Sequence, residues 1–403
     1  MGRYLRRTLN LIFGVSSSAL AILLGRELIL PAQSQETFKT GLLLVGPMND
    51  GGWSQAHVEG STYVQERIPG VEFEYVDKVN PADRPNVQAA QVADDMIAQG
   101  AELVFFTSDD HKDDALATAQ KHPDIGVIHI SGDYAWPQGK NYKDQPNLVN
   151  IMPQMEYIRM VAGCAASLDT EVGKIGYVGP LINDETRRYV NATYLGARYC
   201  WETYRNNDPA DLEFKVTWIG FWFNIPGVTL DPTKVADDLI NGGYDVLMSG
   251  LDTPEVALQS KKAAEAGKPV TFTHYGLQTG CDFAPEICLG VPYYNWGPAY
   301  LEVVQQAQQG NLTGGFRWTA VDWQDLNNLD TTSAGFMKGA ALGESEADLD
   351  RFIQGLGDGS IVLFQGPLSF QDGSVYLEEG EVAGLPEIWY MDQLLQGIDG
   401  VSQ

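Results

Sequence analysis

The sequence predicts an α/β chain of two lobes, each a parallel sheet flanked by helices, with a hinge between them. Three observations carry that expectation. Short continuous apolar runs alternate with amphipathic helical stretches between residues 41 and 275, the βαβ rhythm of parallel sheets whose strands are buried on both faces. The 403 residues, less an amino-terminal leader of 34, leave about 369, more than one core usually serves. The run KTGLLLVGP at 39–47 is echoed by VGKIGYVGP at 172–180, so each lobe opens on Lys, an apolar strand, Gly-Pro and a polar turn.

In chain order the leader comes first. Arg3, Arg6 and Arg7 precede an apolar stretch from Leu9 to Leu24, and Ala32-Gln33-Ser34 offers small residues for cleavage. Residues 1–34 therefore read as an export signal, with an uncleaved amino-terminal anchor as the alternative. Strands are expected at 41–46, 72–76, 102–107 and 125–130, with helices over 54–67, 86–99 and 111–121 between them. Pro146 to Ile151 reads as an extended link and 154–168 as a helix. Strands at 174–179, 214–220, 245–249 and 270–275 then alternate with helices at 186–204, 233–241 and 254–266. Gly100 and Gly267 stand where helices close on a left-handed residue. The last third reads as a helix at 297–310, a strand from Trp318 to Trp323, a helix at 345–356 and a hairpin over 360–378. In domain terms, lobe 1 spans 38–150 with a return segment at 279–312, and lobe 2 spans 151–278 with a continuation at 313–403.

Composition narrows the partners. Lys and Arg number 26 against 53 Asp and Glu, a net charge of -27; without the leader's four Arg and one Glu it becomes -30. Nucleic acid is excluded as a partner on that charge, and a neutral or cationic small molecule is favoured. Four cysteines in an exported chain permit disulfides. Cys281 and Cys288 bracket a short turn-like stretch and form the best single pair, leaving Cys164 with Cys200, although three pairings stay formally open. No CxxC occurs and no His lies near either pair, which argues against zinc.

The most informative stretch is GLLLVGPMNDGGWSQAHVEG at 41–60, where an apolar strand breaks into a Gly-rich polar turn and then a helix. Ligands of open α/β sheets sit at such carboxyl edges, and Asn49, Asp50, Trp53 and Gln55 fall there. Gly51 and Gly52 allow close backbone approach, while Trp53 offers a face on which a planar molecule can stack. Neither GxGxxG nor GK[ST] is present, so dinucleotide and P-loop phosphate sites are not indicated. The competing role for Trp53 is to cap the first helix against the core, with Asn49 and Asp50 only shaping the turn.

That turn is followed in order by KIGYVGP at 174–180, YVNATYLGAR at 189–198, VTWIGFWFN at 216–224, GYDVLMSGLDT at 243–253, YYNWGPAY at 293–300 and LFQGPLSFQDG at 363–373. With these seven segments the chain resembles the basic membrane protein family of solute-binding proteins, the nucleoside-binding class that serves ABC importers. The resemblance implies a two-lobe fold of the periplasmic-binding-protein type that closes around a nucleoside, nucleobase or similar flat polar solute. It implies delivery of that solute to an ABC permease, no cofactor, a monomer, and a location in the periplasm or on the outer face of the inner membrane. Carried onto this chain, it assigns ligand contacts to Asn49, Asp50, Trp53 and Gln55 of the opening turn. Asn191 and Trp222 would come from the second lobe, Asp252 would meet ligand hydroxyls or ring nitrogens, and Asn295 and Trp296 would line the cleft near a crossover. Family members commonly carry an Asp-x-Ser-Phe-Asn turn where this chain has Asp50-Gly51-Gly52-Trp53-Ser54-Gln55, and many carry a lipidated Cys that is missing here.

Each assignment has a plainer rival. Asp252 stands where it could cap the helix beginning at Pro254, and any of Trp53, Trp222 and Trp296 could be core. His57 could border the pocket, face solvent or cap a helix. Asp109, Asp110, Asp113 and Asp114 lack calcium-loop spacing and read as an acid-rich helix start. GxSxG is absent and no nucleophilic triad is suggested, so catalysis is not expected. The alternatives are a sugar binder of the same architecture and a secreted hydrolase acting on a nucleoside-like compound.

Overall fold

The computed structural model describes residues 37–403; the expected export signal over 1–34 lies outside the described residues. The first lobe is built from β1 (Phe38–Leu43), α1 (Trp53–Arg67), β2 (Val71–Val76), α2 (Ala89–Ala98), β3 (Leu103–Phe106), α3 (Lys112–Lys121), β4 (Gly126–Ile130) and β5 (Leu148–Pro153). The chain then crosses into α4 (Met155–Asp169), β6 (Lys174–Gly179), α5 (Asp184–Thr203), β7 (Glu213–Trp218), α6 (Pro232–Asn241), β8 (Val246–Ser249), α7 (Glu255–Glu265), β9 (Thr271–Thr273) and β10 (Cys288–Tyr294). It continues through α8 (Gly297–Gln308), β11 (Gly315–Thr319), β12 (Ala334–Lys338), α9 (Glu346–Asp358), β13 (Leu368–Ser369), β14 (Val375–Leu377), α10 (Leu385–Trp389) and β15 (Ile398–Asp399).

One sheet runs β11-β5-β4-β3-β1-β2, parallel throughout. The other runs β12-β10-β9-β8-β6-β7-β15, parallel except for β12 at its edge. Alternation on fully buried strands feeds both faces: in β3, Leu103 and Phe105 join the core that includes Trp53 and Val64, and Val104 and Phe106 join Ala93 and Met96 of α2. On the α2 side the packing at Gly41 is close: a Cβ there would lie 2.6 Å from Met96 Sδ, so the Met96 side chain would have to shift.

Three expectations about the chain path are corrected. Residues 148–153 are a buried strand hydrogen-bonded on both sides, not a link, because Val149, Ile151 and their neighbours pack between β4 and β11. The expected return over 279–312 fails for β10, whose fully apolar run pairs with β9 in the second sheet. The strand that rejoins the first sheet is 315–319, so the predicted Trp318–Trp323 strand is displaced, and residues 323–333 carry turns and bends.

In the second lobe α4 and α5 come into backbone contact through Gly163 and Gly196. A Cβ on Gly163 would collide with Thr193 O, and one on Gly196 with Met160 O. Cys164 and Cys200 link the same two helices, with Cα atoms 5.2 Å apart. Cys281 and Cys288 close the loop before β10 at a Cα separation of 5.5 Å. Asn183 and Thr186 form a reciprocal capping box at the start of α5, and Asp231 caps α6 ahead of Pro232.

Candidate functional site

The carboxyl edges of the two sheets face each other across an inner cavity. The first lobe contributes Val45 beyond β1, Trp53 at the start of α1, Ser108 and Asp109 beyond β3, and Ser131 beyond β4. The second contributes Glu185 from the first turn of α5, Trp222 beyond β7, Asp252 beyond β8 and Tyr275 beyond β9. Its volume is only ≈ 10 Å³, about the space of a single water. A ring-sized solute enters this arrangement only when the lobes part.

Direct bonds hold the cleft shut. Trp222 donates its indole N–H to Asp110 Oδ2 at 2.9 Å, Ser131 donates to Glu185 Oε2, and Asn183 Nδ2 lies 3.4 Å from Asp109 Oδ2. His274 Nε2 lies 2.9 Å from Gly51 O. Gly52 is pressed against the Asp252 backbone carbonyl so closely that a Cβ would collide with it. Glycine at 52 is thus set by contact between lobes.

Of the expected ligand contacts, Trp53, Trp222 and Asp252 meet in this cavity. Trp53 is pinned: its indole N–H donates to Thr107 O at 2.7 Å, and its ring stands edge-on to Tyr294 at 5.0 Å and Trp296 at 5.5 Å. Asp252 is 3% exposed, and its carboxylate has no hydrogen-bond partner among the described residues. It does not cap α7, where Pro254 holds the cap position without a side-chain bond. A buried acid without a protein partner is costly unless something else satisfies it.

The other expected contacts lie elsewhere. Asp50 accepts from the backbone N–H of Gly52, Ser54 and Gln55, which spends its carboxylate on the entry to α1. Asn49 is exposed, and the Gln55 amide turns to Glu59 Oε1 at 3.3 Å. Asn191 brackets the backbone of Gln393 and Leu395. Asn295 donates to Leu329 O and Thr332 O. Trp296 is core, stacked on Tyr294 at 4.9 Å and on His57 at 4.4 Å. His57 is itself buried, with Nδ1 2.6 Å from the Tyr300 hydroxyl, and burial holds its pKa well below the usual imidazole value.

Five lining residues were not anticipated: Val45, Ser108, Ser131, Glu185 and Tyr275. Ser108, Ser131 and Tyr275 follow strands and were open to the same edge rule that pointed to the opening turn. Glu185 lay hidden in an acid-rich helix start. Asp109 and Asp110 do more than face a helix dipole: one lines the cavity and the other closes it.

Burial raises the pKa of three acids in the site. Burial, then the charges of Asp50, Glu185, Asp110 and Glu255, raise the Asp252 pKa well above the usual carboxylate range. Burial raises Glu185 to about 7 against the pull of Arg188 and the Ser131 hydroxyl, and burial also raises Asp109. Such groups can donate or accept a hydrogen bond near neutrality. Among the described residues no group of His, Cys, Asp and Glu is arranged to hold a metal, and no helix is long and apolar enough to cross a membrane.

Comparison with known proteins fits this geometry. Residues 38–320 match the family described as ABC transporter substrate-binding protein PnrA-like. A purine-binding protein of Brucella abortus is 25% identical over 377 residues, covering 91% of this chain and 95% of the relative. A Haloferax volcanii protein named as an ABC transporter glucose-binding protein is 28% identical over 288 residues, 71% of this chain and 65% of that one. The solved structure of an ABC transporter solute-binding protein from Conexibacter woesei superposes with a TM-score of 0.57 at 18% identity, covering 81% of this chain and 98% of that one. This chain belongs to the PnrA-like family of ABC transporter substrate-binding proteins, and its two lobes have the periplasmic-binding-protein fold.

Proposed function

We propose that the protein captures a purine nucleoside, nucleobase or similar flat polar solute between its lobes, outside the cytoplasmic membrane, and delivers it to an ABC permease. One observation carries the reading: the buried, unpartnered Asp252 carboxyl shares a cavity with the rings of Trp53, Trp222 and Tyr275. A flat heterocycle presents edge N–H donors to such an acid and its face to such rings. The chain's net charge of -27 disfavours anions, and the purine-binding relative supports the choice of ring. No cofactor is called for, since binding and hinge closure need none.

A sugar is the second reading, favoured by the glucose-binding relative and by carboxyls suited to hydroxyl donors. Calorimetry with adenosine, guanosine, adenine, guanine and glucose, with chromatography of the recovered ligand, separates the cases. Stable one-to-one binding of an unchanged purine supports the proposal. Glucose binding without purine binding, or turnover of the nucleoside, overturns it.

A further inference from the structure

Beyond the inner cavity the cleft widens into a second chamber of ≈ 260 Å³, whose walls include Asp109, Ser131 and Glu185 as well. Its outer wall is Trp389 and Tyr390, which stand outside the family-matched residues 38–320. Their segment is woven into the second lobe: Arg187 Nε donates to Met391 O at 2.9 Å, Asn191 brackets Gln393 and Leu395, and β15 pairs with β7. The aromatic pair nevertheless reaches the first lobe. Tyr390 stacks on Trp136 at 5.7 Å, its hydroxyl donates to Asp133 Oδ2 at 2.5 Å and accepts from Lys140 N, and Trp389 packs on Phe316 at 4.9 Å.

The charges say what the chamber takes. Arg187 is paired with Asp184 and Arg188 with Glu156, which leaves Lys112 and the buried, unpartnered Nη2 of Arg188 facing Asp109, Asp133 and Glu185. The chain's net charge of -27 disfavours a phosphate or carboxylate. A hydroxyl suits the mixture, because it donates to the carboxyls and accepts from the cations.

We propose that the C-terminal segment completes the solute site, with Trp389 and Tyr390 walling an outer chamber that receives the hydroxyl-bearing glycosyl part of a solute whose flat ring occupies the inner cavity. This rests on the purine reading above. The test is calorimetry on the full chain with two matched pairs, adenosine with adenine and guanosine with guanine, for the wild type, Tyr390→Ala and Lys112→Ala, alongside melting of each free protein. The wild type should bind at least one nucleoside about tenfold more tightly than its base, the worth of one or two net hydrogen bonds. Each variant should erase most of that gap by weakening the nucleoside alone. Equal losses for base and nucleoside, or no loss in either folded variant, overturn the inference. A wild type that binds bases as well as nucleosides overturns it while leaving the purine reading standing, and one that binds neither overturns both. If Tyr390→Ala fails to fold, Lys112→Ala, which alters an exposed side chain, carries the comparison alone.

Discussion

Replacing Asp252 by Asn separates binding from folding, because this carboxyl is 3% exposed and has no protein hydrogen bond to lose among the described residues. Deleting a desolvated acid without a partner should leave the melting temperature of the free protein unchanged or slightly raised. Solute affinity should fall, since a hydrogen bond to a charged group contributes about 1.5 to 3 kcal/mol, or roughly twelve- to 150-fold in Kd. A pH signature sharpens the test. Burial keeps the free carboxyl protonated well above its ordinary range, whereas a ligand N–H or O–H donor favours the carboxylate, so binding should release a proton and tighten as pH rises. Titrations in two buffers of different ionisation enthalpy should show that proton for the wild type and show less of it for Asp252→Asn. Unchanged affinity together with a melting temperature several degrees lower would refute the reasoning and make Asp252 structural.

Other outcomes follow from the same geometry. Glu185 holds its proton up to about 7 when folded against an ordinary 4.5, so the folded state binds the extra proton and stability should fall as pH rises between those values. Across that window the loss is about 3 kcal/mol, and denaturant titrations of Glu185→Gln should lack it; an identical pH slope in variant and wild type would defeat the assignment. The loop model of disulfides gives about 3.8 kcal/mol for the 36-residue Cys164–Cys200 separation and about 2.4 kcal/mol for the seven-residue Cys281–Cys288 separation. Cys164→Ala/Cys200→Ala should therefore lower the denaturant midpoint more than the other double variant, and the reverse order would count against it. Trp222→Phe removes the indole bond to Asp110 across the cleft and should shift the free protein toward open lobes, read as a larger radius of gyration by small-angle scattering; no change would mean that this bond does not govern closure.

The two-lobe α/β organisation was legible because strands buried on both faces read as continuous apolar runs, as at Val246–Met248 in β8 and at Leu42–Leu43, where the run carries on past the end of β1. The return of β11 was not, since Gly315–Thr319 is half-buried at a sheet edge and lacks a strong apolar signal. In the candidate site, Trp53, to which the strand-edge rule pointed, and Trp222 and Asp252, which the family resemblance assigned, line one cavity. Asn191 and Asn295 share their residue type with ligand contacts, yet each ties irregular backbone, and Asn191 meets a segment about two hundred residues away that no local pattern reveals. Asp50 misled for a related reason: an acid in a polar turn serves a helix start as readily as a solute. Trp389 and Tyr390 were missed because they are brought to the cleft only by tertiary packing.

The most direct test of solute capture is a crystal structure of the protein with a bound purine nucleoside. The account predicts the ring in the inner cavity against Trp53 or Trp222, with a donor within hydrogen-bond distance of the Asp252 carboxyl. A nucleoside seated outside the cleft, as in the surface groove between Lys215 and Tyr244 of the second lobe, with Asp252 still unpartnered, would contradict it.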